Sequence, residues 1–134
     1  MPLTPEALQT ALTAFLNKHP EICLLGYYGS YAKGTPRPDS DVDICLAEER
    51  ALTSEKKIQY INELTFLLKK EIDLIDLQAV NGVILKEALH SAHWIHRPPV
   101  AYAQILKKML FDQADFQPYY QRILKAKRER FLKS

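Results

Sequence analysis

The sequence predicts an α+β domain in which a small mixed sheet is flanked by helices, and three observations carry that prediction. Short runs rich in Ile, Leu, Val and Tyr alternate with longer stretches at helical spacing, the signature of mixed α/β folds. The chain has 134 residues, enough for one real core and too few for two independent ones. Hydrophobic residues make up 47% and charged residues 25%, a balance that excludes a disordered chain. Residues 1–134 therefore read as a single domain, with a core over about 1–97 and C-terminal helices over about 99–133.

Thr4, with Pro5 at the first helical position, opens a helix whose Leu8, Leu12, Phe15 and Leu16 share one face. His19-Pro20 ends it. Residues 21–28 form the first strand, which runs into Gly29-Ser30 and a short helix over 30–33. Thr35-Pro36-Arg37-Pro38-Asp39-Ser40 has the chemistry of a turn-rich loop. The second strand covers 41–47. A longer helix over about 54–70 follows, with Ile58, Ile61, Thr65 and Leu68 at helical spacing and lysines closing it. Residues 71–77 form the third strand, 82–92 another helix, and 93–96 a short fourth strand. Pro98-Pro99 then breaks the pattern. Tyr102, Ile105, Leu106, Met109 and Leu110 stripe the next helix, and a last helix over about 115–132 carries Phe116, Tyr120, Ile123, Leu124 and Phe131.

Composition narrows the partners. A formal net charge of +2 is too small to argue for direct nucleic-acid binding. Met1-Pro2-Leu3-Thr4-Pro5 leads straight into the first helix, so no signal peptide is expected. No apolar run approaches spanning length, and a cytoplasmic location is the expectation. Cys23 and Cys45 both fall in predicted strands and read as buried apolar filler, without CxxC spacing.

The functional signal is the run GSYAKGTPRPDSDVDICL, which joins Gly29-Ser30 to Asp41-Val42-Asp43. Glycine lets backbone approach a phosphate, the N–H groups that follow can bind anions, and the serine hydroxyl can donate to a phosphate oxygen. Asp41 and Asp43 open a strand two residues apart, so both carboxylates point one way while Val42 and Ile44 point the other. Two acceptor-only groups projecting together need a counter-charge, and oxygen donors suit Mg²⁺ or Mn²⁺. A third acid is expected on an adjacent strand. The third strand offers Asp73 and Asp76, each in an Ile-Asp-Leu triplet. They are three apart and face opposite sides of a regular strand, so one of them joins the site.

This run resembles the signature of the polymerase-β-type nucleotidyltransferases. Its ten-residue spacer and the small size match the minimal nucleotidyltransferases, many of which are antitoxins paired with a HEPN-domain ribonuclease toxin. The resemblance implies a polymerase-β-like fold, two Mg²⁺ ions (or Mn²⁺), ATP as substrate, and transfer of AMP to a hydroxyl, with a HEPN-type ribonuclease toxin as protein partner and acceptor. It places the third acid early in its strand, which favours Asp73. In that reading Asp41, Asp43 and Asp73 are catalytic and hold metal, and Gly29 and Ser30 hold the β- and γ-phosphates. Lys33 and Arg37 lie in the segment that would neutralise phosphate charge, or are solvated loop charges. Transfer to a small-molecule hydroxyl, and a non-catalytic antitoxin acting by binding alone, are the alternatives.

Two further patterns stand apart. His90, His93 and His96 recur every third residue, but they span a predicted helix end and a strand, where that spacing does not converge. The run from Arg122 to Lys133 is basic and reads as a solvated helix face.

Overall fold

A computed structural model describes residues 3–116, so the basic run and most of the last expected helix lie outside the described residues. Nine elements follow one another: α1 (Pro5–Lys18), β1 (Leu24–Tyr28), α2 (Gly29–Lys33), β2 (Val42–Ala47), α3 (Ser54–Leu68), β3 (Ile72–Asp76), α4 (Gly82–Ser91), β4 (His93–His96) and α5 (Pro99–Phe116). The Thr4 hydroxyl accepts the Ala7 N–H at 3.1 Å, and Thr53 does the same for Lys56 at 3.1 Å, so α1 and α3 each start on a side-chain cap. The first strand is shorter than its apolar run. Glu21 to Cys23 lie ahead of it, although the Cys23 N–H still donates to the Ala47 carbonyl at 2.7 Å.

The four strands form one mixed sheet in the order β3-β2-β1-β4. β1 pairs antiparallel with β2 and β4, while β2 and β3 run parallel. A parallel pair needs a crossover, and α3 supplies it. The alternation of β1 and β2 then divides the core in two. Leu25, Tyr27, Val42, Ile44, Leu46 and Leu74 pack with Leu8, Leu12 and Phe15 of α1 and Tyr60, Leu64 and Leu68 of α3. Leu24, Cys45, Ala47 and Ile75 pack with Leu85, Ala88 and Leu89 of α4 and Ile105 of α5. Both cysteines are free thiols; Cys45 is buried and Cys23 half-buried.

α5 is bound to this second layer. Ile105 is buried there, and the Lys108 ammonium donates to the Leu77 and Val80 carbonyls at 3.3 and 2.8 Å. At the end of β2, Tyr60 donates to Glu48 at 2.5 Å and lies 3.1 Å from Glu21, and Lys56 meets Glu48 at 2.8 Å. His19 joins Glu63 across α1 and α3 at 2.7 Å. These contacts hold α1 and α3 to the end of the sheet where β2 finishes. Among the described residues no helix is long and apolar enough to cross a membrane.

Candidate active site

Strand pairing builds the site. Tyr28 of β1 lies opposite Asp43 of β2, and Asp43 lies opposite Asp73 of β3. Directly opposed residues share a face, so these three side chains form one row across three strands, on the face covered by α4 and α5. Asp43 and Asp73 stand as neighbours in this register, and each carboxylate bears on the other's charge. Burial, then the charges of Asp73 and Asp41, push the Asp43 carboxyl up to about 6.

Asp76 takes the other side. Its carboxylate is 2% exposed and accepts the Leu52 N–H at 2.7 Å and the Gln78 N–H at 2.9 Å. It is committed to folding the chain beyond β2 and β3. Asp41 precedes β2, is exposed, and acts on Asp43 through its charge. Among the described residues no three His, Cys, Asp or Glu side chains already stand as a metal-holding set. The structure thus brings together a pair, Asp43 and Asp73, with Asp41 at its open edge. Two neighbouring carboxylates beside a third acid are a hard-oxygen donor set short of a counter-charge, and these residues fit a divalent ion such as Mg²⁺ or Mn²⁺.

The Gly29-Ser30 turn is fitted to this pair. Gly29 has φ +70°, and a Cβ placed on it would stand 2.1 Å from Oδ2 of Asp43. Backbone therefore lies directly against the carboxylate, which a side chain would prevent. α2 begins at this glycine, so its leading N–H groups lack carbonyl partners within the helix. The Ser30 carbonyl accepts the Thr35 N–H at 3.0 Å and closes the turn. Lys33 and Arg37 are exposed beyond it. The Arg37 N–H is held by the Ser40 hydroxyl at 2.7 Å, and Lys70 anchors the same loop through the Pro38 carbonyl at 2.6 Å.

Two neighbours escaped the sequence reading. The Tyr28 phenol is half-buried, and its pKa is raised by burial and by the charges of Asp73, Asp43 and, more weakly, Glu87. Glu87 of α4 is exposed and also acts on Asp43. Tyr28 is one of three tyrosines round the turn, with Tyr27 and Tyr31, and only the register separates it from them. Tyr27 points to the opposite face, where its hydroxyl lies 3.3 Å from both Gln9 Nε2 and His93 Nδ1. Tyr31 is buried in the first core, and the Leu3 N–H lies 3.4 Å from its hydroxyl. His93 thus belongs to the Tyr27 side, away from the acids.

Comparison with known proteins gives a consistent picture. The family described as polymerase beta, nucleotidyltransferase matches residues 10–98. A protein adenylyltransferase MntA of Thermococcus cleftensis is 30% identical over 96 residues, covering 69% of this chain and 97% of the relative. A protein adenylyltransferase MntA of Shewanella oneidensis is 27% identical over 70 residues, 52% of this chain. That match spans 50% of the Shewanella protein's own length. Among solved structures, a chain from the tri-AMPylated Shewanella oneidensis HEPN toxin in complex with MNT antitoxin superposes with a TM-score of 0.70 at 17% identity. The match covers 92% of this chain and 98% of that one, and at this identity it speaks for the fold.

Proposed function

The chain belongs to the polymerase β nucleotidyltransferase family, and from that premise we propose that it is an antitoxin protein adenylyltransferase. It would transfer AMP from ATP to a hydroxyl, a tyrosine in the first instance, of a HEPN-type ribonuclease toxin. The observation that carries the chemistry is Asp43, paired with Asp73 across the sheet, lying against the side-chain-free backbone of Gly29. The relatives named as adenylyltransferases and the fold shared with the antitoxin of an AMPylated HEPN toxin support the acceptor.

Each residue then has a task. Asp41, Asp43 and Asp73 hold divalent cation, which when bound stabilises the attacking and leaving oxygens together. Gly29 lets the triphosphate come close to the backbone, and the Ser30 hydroxyl and the first N–H groups of α2 donate to its β- and γ-oxygens. Lys33 and Arg37 supply countercharge from the loop. The acceptor oxygen forms a bond to the α-phosphorus as the bond to the bridging oxygen breaks, and pyrophosphate leaves. Asp73, the exposed member of the pair, takes the proton from the acceptor hydroxyl.

The test is label transfer from α-labelled ATP with Mg²⁺ to a cognate HEPN toxin, run beside an Asp41→Asn, Asp43→Asn double variant. Label on the toxin with wild type and none with the variant is the expected result. A tight complex that silences the toxin without label would overturn catalysis and leave neutralisation by binding.

A further inference from the structure

We propose that Lys70 is a positioning residue for Asp41, its ammonium clamping the turn over residues 37–40 to the junction of α3 and β3 so that Asp41 is held at the edge of the acid pair. The inference rests on the reading of the acids as a cation site and goes beyond it in assigning what fixes the one acid that the sheet does not.

The three acids are not held alike. Asp43 and Asp73 lie inside the ladder, each opposite the other on the neighbouring strand. Asp41 precedes β2 and is exposed, so strand pairing does not set its place. Its two chain neighbours do. After it, the Val42 N–H donates to the Glu71 carbonyl at 2.9 Å, which ties the entry of β2 to the residue following Lys70. Before it, Ser40 closes a turn: its N–H donates to the Arg37 carbonyl at 3.0 Å, and its hydroxyl accepts the Arg37 N–H at 2.7 Å. Two hydrogen bonds between the same two residues make 37–40 a closed unit, and the ring of Pro38 fixes φ within it.

A closed turn still moves as a body unless something outside it holds it, and Lys70 does so. Its ammonium donates to the Pro38 carbonyl at 2.6 Å, from 32 residues along the chain. A hydrogen bond from a charged donor is shorter and stronger than one between neutral groups. The chain is aimed there by Lys69, which ends α3 at φ +54°, in the left-handed region that favours glycine, with its N–H on the Thr65 carbonyl at 2.8 Å. Lys70 and Glu71 are consecutive, so the turn and the strand entry are tied to one place with Asp41 between them. Without the ammonium the turn keeps its own two bonds but loses its attachment to α3 and β3. Asp41 would then swing with it while Asp43 and Asp73 stay in register.

Titration of the purified protein with Mn²⁺ alone, followed by electron paramagnetic resonance, reads the effect without nucleotide or acceptor, so any contact of Lys70 with phosphate is left out. Lys70→Met keeps the stem and removes the donor. Its Mn²⁺ dissociation constant should rise about tenfold, the lower end of what loss of an outer partner costs a metal site. The sign is diagnostic, because taking a positive charge from the neighbourhood of a cation by itself tightens binding. Lys70→Arg, which keeps a charged donor, should restore most of the affinity. If Lys70 acts through Asp41, the Lys70→Met, Asp41→Asn double variant binds Mn²⁺ no more weakly than Asp41→Asn alone. Equal or tighter binding by Lys70→Met, or fully additive losses, would overturn the assignment while leaving the functional reading intact. A wild type that takes up no Mn²⁺ would overturn both.

Discussion

Replacing Gly29 by alanine separates what this site needs from what the fold needs, because Gly34 supplies a matched control. The two glycines have nearly the same backbone, φ +70° and +75°, and a side chain in that region costs about 1–2 kcal/mol. At Gly34 an added Cβ meets nothing within 4 Å, so Gly34→Ala should show the backbone cost alone, a loss of roughly 3–10 °C in melting temperature. At Gly29 the Cβ would stand 2.1 Å from Asp43 Oδ2, where ordinary contact begins at 3.4 Å. The carboxylate is the mobile partner and relieves the clash by swinging at least about 1.3 Å. Stability should therefore fall no further than in Gly34→Ala. The displacement is spent on chemistry, where misplacing a reacting group by about 1 Å costs on the order of 100-fold. Melting curves and label transfer from α-labelled ATP measure the two effects. Transfer by Gly29→Ala at the wild-type rate would refute the claim that this carboxylate must stand where the structure places it.

The two Ile-Asp-Leu acids should behave as opposites. Asp76→Ala leaves the Leu52 and Gln78 N–H groups without their acceptor and should cost about 2–4 kcal/mol in denaturant unfolding. Asp73→Asn, at an exposed position, should unfold like wild type yet transfer no label; the reverse pattern would exchange their roles. A third expectation concerns pH. The folded Asp43 carboxyl titrates at about 6, above the roughly 3.9 of an unfolded aspartate, so the folded chain binds the extra proton between them. The stabilisation from this group is full below about 4 and lost as pH rises through 6. In chelator, scanning calorimetry should show wild type losing stability relative to Asp43→Asn from pH 5 to 7.5, and a relative gain over that interval would contradict the assignment. Divalent ions compete with that proton, so Mn²⁺ affinity should weaken as pH falls below about 6.

Much of this architecture was legible in the chain. Alternation split Asp73 from Asp76, which follows from a side-chain period of two, whereas the expected strand start at Asp41 moved to Val42 and left Asp41 ahead of the ladder. Thr4 marked the start of the first helix, and the order of elements came from apolar spacing. What period two cannot give is which strand lies beside which. The row from Tyr28 to Asp73 depends on the β1–β2 turn and on α3 carrying the chain across to a parallel neighbour. Tyr27 and Tyr28 are equivalent letters until that register is set. Glu87 is likewise an ordinary exposed helical acid until α4 docks. Strand ends were less legible, because residues 21–23 have strand composition yet precede β1.

The position of β2 inside the sheet, paired on both edges, bears on which changes of chain length the gene can survive. Thr35 and Pro36 lie outside the ladder and ahead of the turn over 37–40, so codons added or lost there can be absorbed as slack while Asp43 keeps its neighbours. A single codon deleted between Val42 and Ala47 is different. It would hand inward-facing positions to outward-facing residues over part of the strand, setting carboxylate against the α1–α3 core or Val42 and Ile44 against the site. Surviving indels in descendants of this chain should therefore collect in the spacer and leave the strand uninterrupted.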